Sequence, residues 1–585
     1  TPTLTPTLAP SPTVIPTLTP TLQPTNYPLQ PIIIIPGFLA SWNKDSIIHN
    51  IDRPQSNWKI NPIVNEYKGI IQTLKNLGYE EDKNLFLFAY DWRKPILSIV
   101  EDLNNFVSQL PPTPYNLPPS FSIVGHSLGG LVGRIYSQKY SNSNINKLIT
   151  VGSPHYGATV AYKIVEAGEI ERFNDYLWLA VKTVATVNKN NLETDKQTLN
   201  RLFPIMKDLF PVYNFLKKDG SEINIIDMKI KNKLLPYYNA NLSNLSYLKT
   251  IVGEKGNTLK GFNVISQTVF DKLFDDYTDG RPQSSYSEIG DYTVISNSAR
   301  IGAPDILTLE HGELIYKKEA IKKILDLLNI QYEGSQVVEG RGTVIDSSLI
   351  FLIKSPATME VVFNGQAFFE QDGMIFIENA QNGDYQLKVK GTDKWSYQVI
   401  IGQIGQSNDV WDSLYGETTA SQTDDYNILY NKDAPESYFE TQNDVPTLFN
   451  DLINYLKVDT KNWHIIKKVQ LAKKFYQISK KSWAYEISES IKHKVIKNKD
   501  FIALKKLENI ELKLFGTSYK KIKYYKITKF KNEINKLKNP FDQVVLKEII
   551  KRLEIVGKEN IKKNEMLIES IDELLKIVKK WEKYD

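Results

Sequence analysis

The chain has 585 residues, 41% apolar and 24% charged, with no cysteine and a formal net charge of +5. That length exceeds one ordinary domain, and the composition excludes a disordered, collagen-like or disulfide-stapled chain. The small net charge hides an asymmetry: residues 461–585 hold 32 Lys and Arg against 16 Asp and Glu, a net +16, which leaves −11 on the rest.

Residues 1–27 repeat Thr and Pro. Regular Pro forbids helix and favours an extended, semi-rigid spacer of a kind common on secreted proteins. An extracellular or cell-surface, bacterial setting is expected; the missing cysteines disfavour an animal secreted protein and suit a bacterial surface protein and a cytosolic one equally. The signal region would then not be in this chain. No run approaches the ~20 apolar residues that cross a bilayer.

A domain-sized region, 28–330, follows. Ile32-Ile33-Ile34-Ile35 reads as a buried strand and Pro36-Gly37-Phe38-Leu39 as a turn after it. Phe121-Ser122-Ile123-Val124 reads as a second strand, and Gly130 to Tyr136 as a helix. Between these lies Gly125-His126-Ser127-Leu128-Gly129. Strand, sharp Gly-x-Ser-x-Gly turn and helix are the context of a nucleophile elbow, which exposes a serine hydroxyl above a sheet. The bare pattern is weak; its weight comes from partners in the right chain order.

A serine nucleophile needs a base, an acid to orient it, and donors for the oxyanion. Of six histidines, His126 sits inside the elbow, His49 precedes it, and His464 and His493 lie in the lysine-rich tail. His155 leaves little room for an acid between. His311, in a loop before a helix over Lys317–Leu328, fits the order Ser, acid, His of α/β hydrolases. Asp291, in a turn before a short apolar segment, is the acid, with Asp305 as rival. Ser127, Asp291 and His311 are therefore the expected triad. Leu128 N–H and Phe38 N–H are the expected oxyanion donors, with Leu39 as alternative to Phe38. No metal-ligand spacing is present and the chemistry needs no cofactor.

The order Pro36-Gly37-Phe38, Tyr90-Asp91-Trp92-Arg93, the Gly-His-Ser-Leu-Gly-Gly elbow, Gly152-Ser153-Pro154-His155-Tyr156-Gly157, Gly290-Asp291-x-Thr293-Val294 and His311 resembles the lecithin:cholesterol acyltransferase-like family over about Pro31–Leu328. Ile251-Val252-Gly253 with Thr258 also matches. The resemblance implies an α/β-hydrolase fold, a serine triad, and lipid or ester substrates. The family usually carries Gly after the acid and Pro after the Val; here these are Tyr292 and Ile295. Its lid disulfide is impossible without cysteine. Asp91 and Arg93 read as a structural pair.

From about 158 to 247 an insertion dense in aromatic and aliphatic residues reads as a helical lid or fixed cap over the site. Residues 334–438 change to period-two alternation with Asn-Gly turns, the pattern of an antiparallel β-sandwich. It reads as a spacer, with no aromatic row evident. Residues 443–585 read as a lysine-rich helical bundle, with Leu567, Ile571, Leu574, Val578 and Trp581 on one helical face. Its charge suggests an anionic membrane or cell-wall surface as partner; no nucleic-acid motif is present. Acyl transfer on lipid esters through an acyl-serine is the expected function. The alternatives are a carboxylesterase, a glycolipid deacylase, or a surface-binding protein with an inactive hydrolase domain.

Overall fold

The computed structural model describes residues 29–477 apart from short internal stretches, the longest 112–119, and scattered positions between 484 and 535. The Thr/Pro segment and the Leu567–Trp581 stripe lie outside the described residues.

Six strands form the central sheet: β1 (Ile32–Ile35), β2 (Leu85–Leu87), β3 (Phe121–His126), β4 (Ile145–Val151), β5 (Leu248–Gly253) and β6 (Asp305–Leu307). Their order is β2-β1-β3-β4-β5-β6, and every pairing is parallel. A parallel sheet buries both faces, so its strands are continuous apolar runs. The four isoleucines of β1 show why: Ile33 and Ile35 join one core, Ile32 and Ile34 the other. Helices Ile96–Ser108 and Leu128–Lys139 supply Ile99, Leu103, Leu131 and Ile135 to the first core. Helices Lys68–Asn76 and Lys318–Leu328 supply Ile70, Leu74, Ile321 and Ile324 to the second. This is the expected α/β-hydrolase fold.

A second sheet was not legible in the sequence. Strands Leu216–Lys218, Ser221–Ile223, Gly256–Ile265 and Arg281–Gly290 form it, and the last two pair as a long antiparallel hairpin. Its final strand reads Arg-Pro-Gln-Ser-Ser-Tyr-Ser-Glu-Ile-Gly and is largely exposed, so no apolar alternation marks it. That strand ends one residue before Asp291.

The insertion between β4 and β5 carries helices Ala161–Ala167, Asp175–Asn188 and Asp195–Leu202. Trp178, Leu179, Val181 and Val184 are buried in the same core as Ile33 and Leu131. Its far side meets a later domain: Lys354 Nζ donates to Val187 O at 2.6 Å, and Arg172 to Gly405 O at 2.8 Å. That domain stacks two antiparallel sheets, of four and five strands, over a common core that includes Phe351, Val361, Leu387 and Val399. Helices Val445–Leu456 and Trp463–Gln477 follow and share a core with Ala484, Ile491 and Leu507. No described helix is long and apolar enough to cross a membrane.

Candidate active site

Ser127 ends β3 and begins the following helix with φ 55° and ψ −124°, backbone that a residue with a Cβ rarely adopts. The glycines around it are steric requirements. A side chain at Gly125 would strike the Gly130 backbone, one at Gly129 the Ile35 carbonyl, and one at Gly130 the Ser153 hydroxyl. The elbow is thus pressed against β1 and the end of β4, and the serine is forced outward, where it is partly exposed.

His311 lies in the loop after β6, and its Nδ1 is 2.8 Å from Asp291 Oδ2. Its backbone N–H donates to Asp291 O at 3.0 Å, so backbone and side chain pair together. Asp291 is buried, with 1% of its surface exposed. Its other oxygen accepts Thr293 N–H at 2.9 Å and Val294 N–H at 2.6 Å. These bonds lock the carboxylate. With Nδ1–H donating to it, Nε2 of His311 is left as the basic nitrogen. Gly152 makes room for the pair: its Cβ, if it had one, would lie 3.2 Å from Asp291 Oδ2 and 3.3 Å from His311 Nδ1. Asp305 pairs instead with Lys323 at 3.0 Å, at the foot of β6.

The departures from the family pattern are accommodated locally. Tyr292 stands in the left-handed region at φ 68°, where glycine is favoured, with its N–H on Thr258 Oγ1 at 2.8 Å. Ile295 is buried and starts a short helix, Ser296–Ala299. The hairpin threonine therefore stabilises the turn that presents Asp291.

Gly37 to Ala40 form a turn closed by Ala40 N–H on Gly37 O at 3.3 Å, with Leu39 at φ 66°. A Cβ on Gly37 would be 3.0 Å from Ser127 Cβ, so the turn lies against Ser127. Among the described residues the Phe38 and Leu39 N–H groups donate to no protein acceptor. Leu128 N–H is the first of its helix and has no intrahelical partner. The Phe38 ring leans on Trp92, 4.5 Å between centroids, which fixes the turn. No hydrogen bond joins Ser127 Oγ to His311 among the described residues. Such contacts are often long before substrate binds.

Sequence reasoning missed Tyr67, in the loop before helix Lys68–Asn76. Its hydroxyl accepts Gly37 N–H at 2.7 Å and meets His126 Nδ1 at 2.8 Å. Nothing in its sequence surroundings signals this. Nε2 of His126 in turn is 3.0 Å from the His311 carbonyl. Burial and the neighbouring His311 push the His126 pKa down to about 3, so it is neutral. His155 is also fully buried, on Thr150 Oγ1 at 3.1 Å, and burial holds its pKa well below the usual range. Asp91 and Arg93 are the structural pair expected: two 2.8 Å contacts join them, and Arg93 also donates to Ser46 O at 2.8 Å.

Residues 55–271 match the family model "Lecithin:cholesterol acyltransferase". That stretch includes the elbow and ends before Asp291 and His311. No curated protein matches the chain. Three solved structures are similar only weakly. The Bacillus licheniformis lipase BlEst2 in its propeptide form is 13% identical, over 70% of this chain and 96% of that one, at TM-score 0.27. Phospholipase PlaB from Legionella pneumophila is 13% identical, over 67% and 92%, at 0.27. Staphylococcus hyicus lipase is 10% identical, over 51% and 94%, at 0.26. Scores this low carry no argument, and what the comparisons show is the match itself: residues 55–271 are similar to the lecithin:cholesterol acyltransferase family.

Proposed function

We propose that the chain is a serine-dependent enzyme acting on ester-linked acyl groups of lipids. Ser127 is the nucleophile, His311 the base and Asp291 the residue that orients it. The Asp291–His311 contact of 2.8 Å, beside a serine held in strained backbone, is the observation that carries this reading. Ser127 Oγ attacks the acyl carbonyl as Nε2 of His311 takes its proton. The oxyanion lies against the N–H groups of Phe38 and Leu128. His311 returns the proton to the leaving alcohol, and the acyl-serine remains. Asp291 holds the imidazole tautomer and stabilises the imidazolium. Water then gives a fatty acid; an alcohol gives a new ester. No cofactor takes part.

The family match supports lipid ester hydrolysis or acyl transfer. Products formed on mixed phospholipid and long-chain alcohol vesicles test the proposal, comparing the wild type with Ser127→Ala. Free fatty acid marks a lipase or phospholipase, and an ester of the alcohol marks an acyltransferase. Identical product levels from both proteins sink the assignment of Ser127.

One observation favours a second reading, a carboxylesterase. The apolar side chains of Trp178, Leu179 and Val181 are buried, so that part of the insertion is packed as a fixed cap. A short soluble ester turned over at full rate without an interface would favour it. We further propose an extracellular or cell-surface setting, in which the basic segment 461–585 contacts anionic lipid or cell-wall polymer. Full binding to anionic vesicles after deletion of 461–585 would exclude that contact.

A further inference from the structure

A cleft of about 540 Å³ opens between the hydrolase and the β-sandwich, at the size typical of ligand clefts. One wall is Pro62, Ile63 and Asn65, in the loop before helix Lys68–Asn76. The other is the edge strand Gln366–Phe369 of one sheet and the edge strand Met374–Ile377 of the other. Both walls are held in place. Asp372 O accepts from Trp42 Nε1 at 3.2 Å, Lys59 pairs with Asp372 at 3.3 Å, and Asn65 donates to Glu378 at 3.2 Å.

The lining has an unusual chemistry for a chain that is 24% charged. Among the described residues its only charged ones are Arg341 and Glu378, which neutralise each other through a 2.8 Å ion pair. The rest is mainly carboxamide and aromatic. Asn364, Gln366, Gln371 and Asn379 all line the cleft and are exposed, and their side chains engage no other group among the described residues. Each offers a donor pair and an acceptor side by side. Phe363 stacks on Tyr385 at 4.1 Å, and Phe369 stands 67% exposed at the rim. Asn364-Gly365, both at positive φ, make the tight turn that sets Phe363 and Gln366 on one edge.

We propose that this cleft binds a neutral carbohydrate chain. A sugar ring presents C–H groups on one face, which suit an aromatic ring, and vicinal hydroxyls at its edge, which suit carboxamides. A phosphorylated or acidic ligand would meet no unpaired cation among the described residues there, and an acyl chain would leave the carboxamides desolvated and unsatisfied. The cleft lies outside the Ser127 site, so binding does not depend on the proposed chemistry. It would hold the enzyme on a polysaccharide surface.

The test uses the full chain with three neutral probes: cellohexaose and chitohexaose in titration calorimetry, and insoluble chitin in a sedimentation assay. Binding to at least one probe is expected, weakened tenfold or more by Phe369→Ala and by Gln366→Ala. Both substitutions are on the surface and should leave the thermal midpoint and turnover of a soluble ester unchanged. Ser127→Ala should bind as the wild type does. No binding to any of the three overturns the proposal. So does binding that neither cleft variant weakens, or binding competed by an extended peptide that pairs with strand Gln366–Phe369 and not by free sugar.

Discussion

The Tyr67 hydroxyl lies 2.8 Å from Nδ1 of His126, and the protons along the whole network follow from that contact. Nε2 of His126 faces the His311 carbonyl at 3.0 Å and must donate, since a carbonyl only accepts. Nδ1 is then an acceptor, Tyr67 O–H donates to it, and Gly37 N–H donates to Tyr67 at 2.7 Å. One chain of bonds therefore links the oxyanion turn, the elbow and the loop that carries the base. Tyr67→Phe removes the hydroxyl and leaves two buried groups unpaired, at a cost of about 1–3 kcal/mol. The expected result is a kcat lowered roughly tenfold with KM little changed, because the loss is of site geometry rather than substrate contact. A variant whose thermal midpoint falls while kcat is unaltered would mean that the network only stabilises the fold.

The motifs that made the site legible are those where sterics leave no choice. The elbow glycines and the four isoleucines of β1 each have one physical explanation, and the structure supplies it. Chain order, local turn context and the family resemblance select Asp291 and His311, and the structure brings the two side chains to 2.8 Å. Tyr67 was not found because a single buried tyrosine carries no pattern. The strand Arg281–Gly290 was missed because its exposed face is mostly polar and its pairing runs from Ile265–Arg281 to Gly256–Gly290 across a long connection, so neither period nor turn betrays it. The cleft rings were invisible for a related reason. Phe363, Phe369 and Phe376 come from three different strands, and the other wall comes from near residue 63.

Gly129→Ala tests the steric account of the elbow. The added methyl would have to share space with the Ile35 carbonyl, which is backbone of a strand in the central sheet and cannot swing aside. A destabilisation of about 2–3 kcal/mol or more is expected, of the order found for overpacked cores. It should come with loss of soluble ester turnover. Gly220→Ala, at a hairpin tip with open space around it and φ 80°, should cost only about 1 kcal/mol from backbone strain. Equal thermal shifts for the two variants would refute the steric explanation.

Glu166 gives a pH dependence of definite sign. It is fully buried, in the insertion, and accepts Thr278 N–H at 2.6 Å. Burial raises its pKa from the ordinary 4.5 to about 7 against the opposing Thr278 hydrogen bond. The folded state then holds a proton that the unfolded state has lost between these values. Stability from this group is complete below about pH 4.5 and declines as pH rises to about 7. Asp276, also pushed to about 7 by burial, acts in the same direction. Glu166→Gln keeps an acceptor for Thr278 N–H without the charge, so it should raise the thermal midpoint at pH 8 and not at pH 4. A variant less stable than the wild type at pH 8 would show that the ionised carboxylate is needed there.

Ser127 offers the sharpest separation of strain from chemistry. Its φ of 55° with ψ of −124° belongs to backbone that glycine enters freely and other residues enter at a cost of order 1–3 kcal/mol. Ser127→Ala and Ser127→Gly both delete the nucleophile, so both should lose turnover to background and fail to react with a fluorophosphonate. They differ in the fold. Alanine keeps the Cβ and the strain, and should unfold at nearly the wild-type midpoint. Glycine releases the strain and, after its larger loss of chain entropy of about 0.5–1 kcal/mol, should still come out level with or above alanine. If glycine proves the less stable by more than that entropy, the elbow stores no strain, and its geometry is dictated by the packing of Gly129 and Gly130 alone. If alanine keeps measurable turnover, the nucleophile is not Ser127, and the Asp291–His311 pair serves a water instead.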